Sequence, residues 1–405
     1  MSGGDVPRDG RSSGVTLPLT RAQVARGCAT GVYGLTFNSM SLFLVPLYAR
    51  ELAMPLSFVG WLIGAGALTP AVLSVAAGSL IDRFGPRRCF VTGAATSAVL
   101  ALGFLMFDQF WELIGLQLLL GIARATAWIA SQTYVSDIET TSGQSSLLGR
   151  FSFLANAGGF AGPLTAGLIA GAIGVRTTFA FVAGFALAMA LLGLSLTERR
   201  LAEAATVHVG IRIAYVEAFG LLGLKAMRVA MLLSFARLWV NSAWLAFFPL
   251  LLVGGGVPTG VAGIVVASKS AVAAVSTLLA GMLARRFGAV AISACGLVAG
   301  AAGLAVTPFM TAVTVAWVPA VLVGLSGGLG LPLLLLIITR ATPRRLHGVA
   351  LGLRMTVNQF ANTVAPVFTG AVVVAGLALG LGASATVAGV TIALASMRRL
   401  HTRPP

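Results

Sequence analysis

The sequence predicts an all-α membrane protein with 12 transmembrane helices, arranged as two six-helix pseudo-repeats. Three observations carry this. Of 405 residues, 58% are apolar and only 9% are charged, against about 25% charged in soluble domains. The apolar residues fall into twelve runs, each near the roughly 20 residues needed to cross a bilayer core. A basic turn, Gly78 to Arg88, returns in altered form at Gly281 to Gly288, half a chain later.

Residues 1–22 are rich in Gly, Ser, Arg and Asp without apolar periodicity, which predicts a disordered cytoplasmic tail. The first apolar run begins near Val24 and is longer than a signal-peptide core. Spans are expected at 24–48, 56–81, 89–107, 110–136, 147–173 and 176–197. The second set falls at 226–252, 258–284, 289–310, 312–338, 349–373 and 376–397. Lipid offers the backbone no hydrogen-bond partner, so each span must be a helix. The short alternating strands of a membrane β-barrel are missing. These runs divide the chain into an N-terminal bundle at 23–197, a linker at 198–225, a C-terminal bundle at 226–397 and a tail at 398–405. The linker is polar or amphipathic, compatible with a helix lying on the membrane surface or with a solvated loop.

Arg and Lys set the orientation. Arg83, Arg87, Arg88, Arg199, Arg200, Arg212, Lys225, Arg285, Arg286, Arg340, Arg344 and Arg345 flank one side, whereas only Arg50 and Arg176 flank the other. Both termini are therefore expected in the cytoplasm of a multi-pass protein of the cell membrane, here bacterial. The formal charge of +16 is spread over helix ends rather than gathered on a face with interleaved aromatics, so nucleic acid is excluded as a partner. Cys28, Cys89 and Cys295 match neither a metal site nor a disulfide framework. They read as small core residues.

Displacing the first half by 203 residues lays it on the second without gaps. Asn38-Ser39 meets Asn241-Ser242, Pro46 meets Pro249, and Gly60 meets Gly263. Arg83-Phe84-Gly85 meets Arg286-Phe287-Gly288, Pro163 meets Pro366, and Gly167 meets Gly370. Gly and Pro dictate backbone geometry, so these matches outweigh matched Ala or Leu. Parallel repeats of this kind place a substrate near the midplane, at their interface.

The segment from Gly78 through Asp82-Arg83 and Gly85 to Arg87-Arg88 resembles the loop between helices 2 and 3 of the major facilitator superfamily. Gly149, Gly158, Gly162, Pro163, Ala166 and Gly167 resemble the helix 5 motif of that family's drug and metabolite antiporters, with Ala166 where the motif has Gly. Arg124 matches the Arg of the helix 4 motif, but Trp128 stands where Gly belongs. The resemblance spans essentially the whole chain. It implies alternating access, a gating role for the loop residues Gly78, Asp82, Arg83, Gly85, Arg87 and Arg88, and a conformational role for Gly158, Gly162 and Pro163. Asp82 also reads as a plain turn acid, and the helix 5 glycines as packing positions.

Four cations lie within apolar runs: Arg124, Arg237, Lys269 and Arg354. The first three sit near the centres of their spans, whereas Arg354 is close enough to a helix end to snorkel. A mid-membrane cation costs about 2.5–3.5 kcal/mol, so three cost about 8–10 kcal/mol before compensation. No Asp or Glu stands in the middle of any span. Either Gln117, Asn241, Asn358 and backbone carbonyls satisfy the cations, or the interior is a positive cavity for an anionic or carboxylate-bearing substrate. Asn38, Asn241, Trp128, Tyr134 and Trp244 join Arg124, Arg237 and Lys269 as candidate substrate-binding residues. Trp and Tyr serve equally as packing or interface residues. A carboxylate relay for protons is missing, so any coupling ion such as H+ would engage Lys269 or the substrate's own charge.

The chain holds no phosphate-binding lysine loop, paired zinc histidines or nucleophile elbow. The glycines at 324–330 lie in an apolar run without a preceding strand. The expected function is therefore secondary transport of a small organic solute by a monomer in the lipid bilayer. It needs no enzyme activity, metal or cofactor. Export is favoured over uptake of an organic anion. A non-transporting receptor or scaffold is the reading from another class.

Overall fold

The computed structural model describes residues 21–136, 144–197, 219–309, 312–343 and 346–400, with a few side chains inside the helices left out. Twelve long helices fill these segments. They are α1 (Arg21–Glu51), α2 (Leu56–Phe84), α3 (Pro86–Met106), α4 (Phe110–Ser136), α5 (Gln144–Ile173) and α6 (Val175–Leu194). After a short 3-10 turn at Leu221–Gly223 come α7 (Lys225–Gly254), α8 (Thr259–Phe287), α9 (Ala289–Val306), α10 (Trp317–Ala341), α11 (His347–Val373) and α12 (Leu377–Leu400). The described residues contain no strand. Most of the two expected tails and the body of the expected linker lie outside the described residues.

Ten of the helices are long and apolar enough to cross a membrane. The other two are α11, which carries Arg354, Asn358, Gln359 and Asn362, and α12, whose apolar stretch runs from Leu379 to Ala393. Polar side chains on the inner face of α11, Arg354 and Asn358 among them, lower its hydropathy, while Met355 and Phe360 are exposed. The outer surface is apolar: Val72, Val99, Met106, Trp111 and Leu278 are all more than half exposed. So much exposed apolar surface is a liability in water and a requirement in lipid. Most helix boundaries match the hydropathy runs. The largest departure is α10, which starts at Trp317 rather than near 312, because the mostly apolar turns at 313–316 read the same as helix.

The helix pairings obey the repeat. Helix α1 packs on α5 as α7 packs on α11, α2 on α4 as α8 on α10, and α3 on α6 as α9 on α12. The halves meet through α5 against α8 and α2 against α11, again equivalent pairs. Glycine makes both crossings close. A Cβ on Gly167 would lie 2.7 Å from the Gly263 Cα, and one on Gly263 would lie 2.8 Å from the Gly167 Cα. At the other crossing, a Cβ on Gly60 would come 2.9 Å from the Pro366 carbonyl carbon and 3.2 Å from the Gly370 Cα. Such distances admit no side chain, so the backbones themselves touch, as small residues permit in membranes. Both crossings lie toward the helix ends remote from the chain termini. Ser270 Oγ adds a hydrogen bond of 3.3 Å to the Gly159 carbonyl across α8 and α5.

The basic turns are also superposable in form. Gly85 and Gly288 each have φ 88°, with ψ 149° and 140°, a left-handed conformation that favours glycine. Each turn closes with a backbone bond to the fourth residue back, Gly85 to Ile81 at 2.8 Å and Gly288 to Ala284 at 2.9 Å. Arg83 lies over the Phe84 ring and Arg286 over the Phe287 ring, both at 5.3 Å. Cys28 and Cys89 are buried as expected for core residues, but Cys295 is exposed. A thiol at a lipid-facing position packs as a small apolar group just as readily.

Gly263→Val should force the α5 and α8 backbones apart and cost about 1–3 kcal/mol by overpacking. The readout is a lowered thermal midpoint of the purified protein in detergent. Gly184→Val, where nothing lies within 4 Å of the added carbon, should leave the midpoint unchanged.

Candidate functional site

The interior cations have different surroundings. Arg124, on α4, is half-buried and donates from Nη2 to the Gly66 carbonyl on α2 at 3.0 Å. Gln117, two turns earlier on α4, is buried and brings its Oε1 to the same glycine. Lys269, on α8, donates to Asn241 Oδ1 on α7 at 2.6 Å. Its ammonium also lies 5.9 Å from the Trp244 ring centroid, a cation–π distance. Under the repeat, Gly66 is the counterpart of Lys269 and Asn38 that of Asn241. Each half therefore sets a cation beside the same backbone position: Lys269 from α8 itself, and Arg124 reaching over from α4.

Arg237, on α7, is half-buried, with its side chain laid along Gly330 of α10; a Cβ on that glycine would meet the Arg237 Cδ at 2.8 Å. Arg354 corrects the snorkelling expectation. It is only 7% exposed, on a face of α11 turned into the bundle. Its position near a helix end suggested an escape to the interface, but the direction of the side chain decides, and a nearly uniform apolar run does not show direction. No carboxylate pairs with Arg124, Arg237, Lys269 or Arg354 among the described residues.

The remaining candidates divide. Asn38 and Trp128 are half-buried. Trp128 lies directly on Gly34 of α1, where any Cβ would overlap the indole. Its ring is 5.7 Å from that of Phe151 on α5. Tyr134 and Trp244 are fully buried, at 1% and 0% exposure. They pack within the bundle, and Trp244 stacks on Phe248 at 4.3 Å. Lys269 and Asn241 are thus brought together with Trp244, Trp128 stands with Phe151, and Tyr134 joins neither group. The sequence reading left Phe151 and Arg354 out of the candidate set. They are repeat counterparts, and that correspondence was the available signal.

The motif residues take up structural positions. Gly158 and Gly162 accept α1 at Val32, Thr36 and Ser39, where added carbons would clash. Pro163 and Gly167 face α8 instead. One motif therefore lets α5 approach a neighbour in its own half and a helix of the other half. Arg87 donates to the Leu194 carbonyl at the end of α6 at 2.6 Å, tying the loop to that helix. Gly78 and Asp82 lie in the final turns of α2, and the Asp82 side chain falls outside the described residues. Among the described residues, no group of His, Cys, Asp or Glu could hold a metal ion.

A lipid-facing bundle of twelve helices among the described residues, doubled by an internal repeat and with polar groups gathered on its inner faces, defines a membrane protein of the two-bundle type. Residues 27–366 match the family model of the Major Facilitator Superfamily, and the chain belongs to that family. The chain is similar to Multidrug resistance protein 2 of Bacillus subtilis (strain 168), 28% identical over 36% of this chain and 37% of that protein. It is also similar to multidrug resistance protein MdtG of Salmonella typhimurium, 29% identical over 39% of this chain and 41% of that protein. The matched region thus spans about two fifths of the length of these curated relatives. Among solved structures, the nucleoside transporter NupG superposes with a TM-score of 0.77 at 13% identity, covering 95% of this chain and 100% of that one. A bacterial homolog of the human lysosomal transporter Spinster, in an inward-facing unoccupied conformation, gives 0.76 at 18% identity, covering 96% and 100%. At these identities the structures share the fold.

The contact between Gly34 and Trp128 should be energetically coupled. Gly34→Ala alone should lower the thermal midpoint, and adding Trp128→Leu should recover part of the loss. A double-mutant cycle should return a coupling of at least about 1 kcal/mol.

Proposed function

We propose that this chain is a secondary active exporter that moves small organic anions across the cell membrane by alternating access. The observation that supports the reading best is the charge of the interior. Arg124, Arg237, Lys269 and Arg354 all lie inside the bundle, and no described carboxylate partners them. Buried cations are costly in a membrane and mark substrate or ion pathways. A negative substrate would offset that cost while bound.

The two crossings that join the halves give the motion its form. Glycine-mediated contacts hold α5 to α8 and α2 to α11 toward one end, and each bundle can rock about them as a body. Loss of these contacts would open that end while the other closes. The basic loop at Gly78–Arg88 supports a latch on the side of the termini, which the excess of arginine there assigns to the cytoplasm. The relatives described as multidrug resistance proteins favour outward movement of solute. Another fold relative is described as a D-xylose–proton symporter, which favours a proton as the coupling ion. With no carboxylate in the centre of a span, Lys269 or the charge of the substrate would carry the coupling. A monomer suffices, because both halves of the pathway lie in one chain.

In proteoliposomes containing the purified chain, a panel of aromatic and aliphatic carboxylates should show saturable counterflow. Arg124→Gln and Arg237→Gln should each reduce it at least tenfold while incorporation into the membrane stays normal. Unaltered flux in both variants would overturn the anionic-substrate reading. Saturable binding without flux would identify a receptor instead.

A further inference from the structure

Two of the four interior cations have protein acceptors, Arg124 at Gly66 and Lys269 at Asn241. Among the described residues, the other two have none. Arg237 Nε and Arg354 Nε and Nη1 are buried without a hydrogen-bond partner among the described residues. Five further polar atoms on the same helices share that condition: Arg228 Nε, Ser234 Oγ, Trp239 Nε1 and Trp244 Nε1 on α7, and Asn358 Oδ1 on α11. Ser234 Oγ stands on α7 three residues before Arg237, and Asn358 Oδ1 stands on α11 one turn beyond Arg354. Buried polar groups in native proteins are nearly always satisfied, and an unmet charged donor costs more than a neutral one. Of these, Ser234 and Arg237 on α7, and Arg354 and Asn358 on α11, lie within about one turn of each other, and a partner from outside the chain would satisfy them together.

The repeat shows how they are juxtaposed. The counterparts of Ser234, Arg237 and Arg354 are Gly31, Gly34 and Phe151. In the first half, the Phe151 ring lies against Gly31, and the Trp128 ring lies on Gly34 and beside Phe151. The α1–α5 crossing is thus filled with aromatic surface at the place where the second half carries Arg354 on α11 and, on α7, Arg237 laid against α10. Side chains of α7 and α11 meet directly farther along, where Ser242 Oγ donates to Asn362 Oδ1 at 2.5 Å and Asn362 donates to Gln359 at 3.1 Å.

We propose that Arg237, Arg354, Ser234 and Asn358 form an oxyanion-binding site where α7 faces α11 and α10, which holds the headgroup of a single-headed amphiphilic anion whose apolar body rests on Trp128 of the other half. The proposal rests on the anionic-substrate reading and goes further, assigning the headgroup to a place and the body to a surface. Guanidinium N–H groups match the geometry of carboxylate and phosphate oxygens. The Ser234 hydroxyl donates to the same oxyanion, and Asn358 Oδ1 accepts from a ligand hydroxyl or from a guanidinium that it orients. A second anionic group has no equivalent site, because the matching crossing is aromatic. Arg124 and Lys269, already bonded to the protein, tune the field rather than grip the headgroup.

The test is ligand binding by the purified full-length chain in detergent, read by thermal midpoint and intrinsic fluorescence. The probes are benzoate and phenylphosphonate as ring-bearing oxyanions, benzyl alcohol as the neutral ring, and acetate as the headgroup alone. At least one ring-bearing oxyanion should bind saturably, and benzyl alcohol and acetate at least tenfold more weakly. Arg354→Gln should weaken the oxyanion at least tenfold, Arg354→Lys less, and Ser234→Ala a few-fold. Trp128→Leu should weaken the ring-bearing probes and leave acetate unchanged. Should Arg354→Gln fail to fold, Ser234→Ala and Asn358→Ala, which remove no charge, carry the test. Equal affinity in wild type and all these variants, or no binding of either aromatic oxyanion, would overturn the site. Anion flux that survives Arg354→Gln would overturn this site and leave anion transport standing; binding lost in Arg354→Gln, in a protein without flux, would do the reverse.

Discussion

The backbone contacts at Gly60–Gly370 and Gly167–Gly263 are the constraint on which the rest of the structure depends. Two large bundles meet there with no side chain between them. Lipid supplies no hydrophobic drive to hold helix against helix, so close packing has to supply the attraction. A contact between smooth backbones is tight when seated and has few interlocking side chains to break when it tilts. That combination suits a joint between bodies that move as wholes. The two joints are repeat counterparts, so the halves are tied symmetrically and neither is the fixed frame for the other.

Inside this symmetric frame the chemistry is not symmetric. The first half presents Trp128 and Phe151 where the second presents Arg237 and Arg354. Both halves bring one cation to the Gly66 and Lys269 position, by different routes. The interior therefore has a direction from apolar to cationic that the backbone lacks. A solute lying between the bundles would meet different chemistry at its two ends, and the frame would not impose that polarity.

Much of the fold was legible in the sequence because lipid exposure imposes it. Apolar runs of the required length mark the helices, and glycine and proline mark the repeat because they control backbone geometry rather than surface chemistry. The starts of some helices were not legible: an apolar turn before α10 has much the same composition as the helix that follows. The site was legible in residue type but less so in direction. Lys269 and Asn241 could be named, and their bond joins two consecutive helices. Tyr134 and Trp244 carry polar tips yet are buried among other helices. Arg354 was placed by its distance along the helix, whereas its azimuth put it inside. In a helix apolar on nearly every side, azimuth leaves little trace in hydropathy, and only the helices packed around it settle which way a side chain turns.

The pairings Gly34 with Trp128 and Arg237 with Gly330 form an exchange of bulk. In one half the large side chain springs from α4 and the gap is on α1; in the other the large side chain springs from α7 and the gap is on α10. In each half one glycine makes room for one bulky neighbour at this contact. A doubled scaffold can thereby recolour a single wall, from aromatic to cationic, without moving a helix. Under the proposed reading, cargo preference is separable from the machinery of motion, and the two can be rewritten independently.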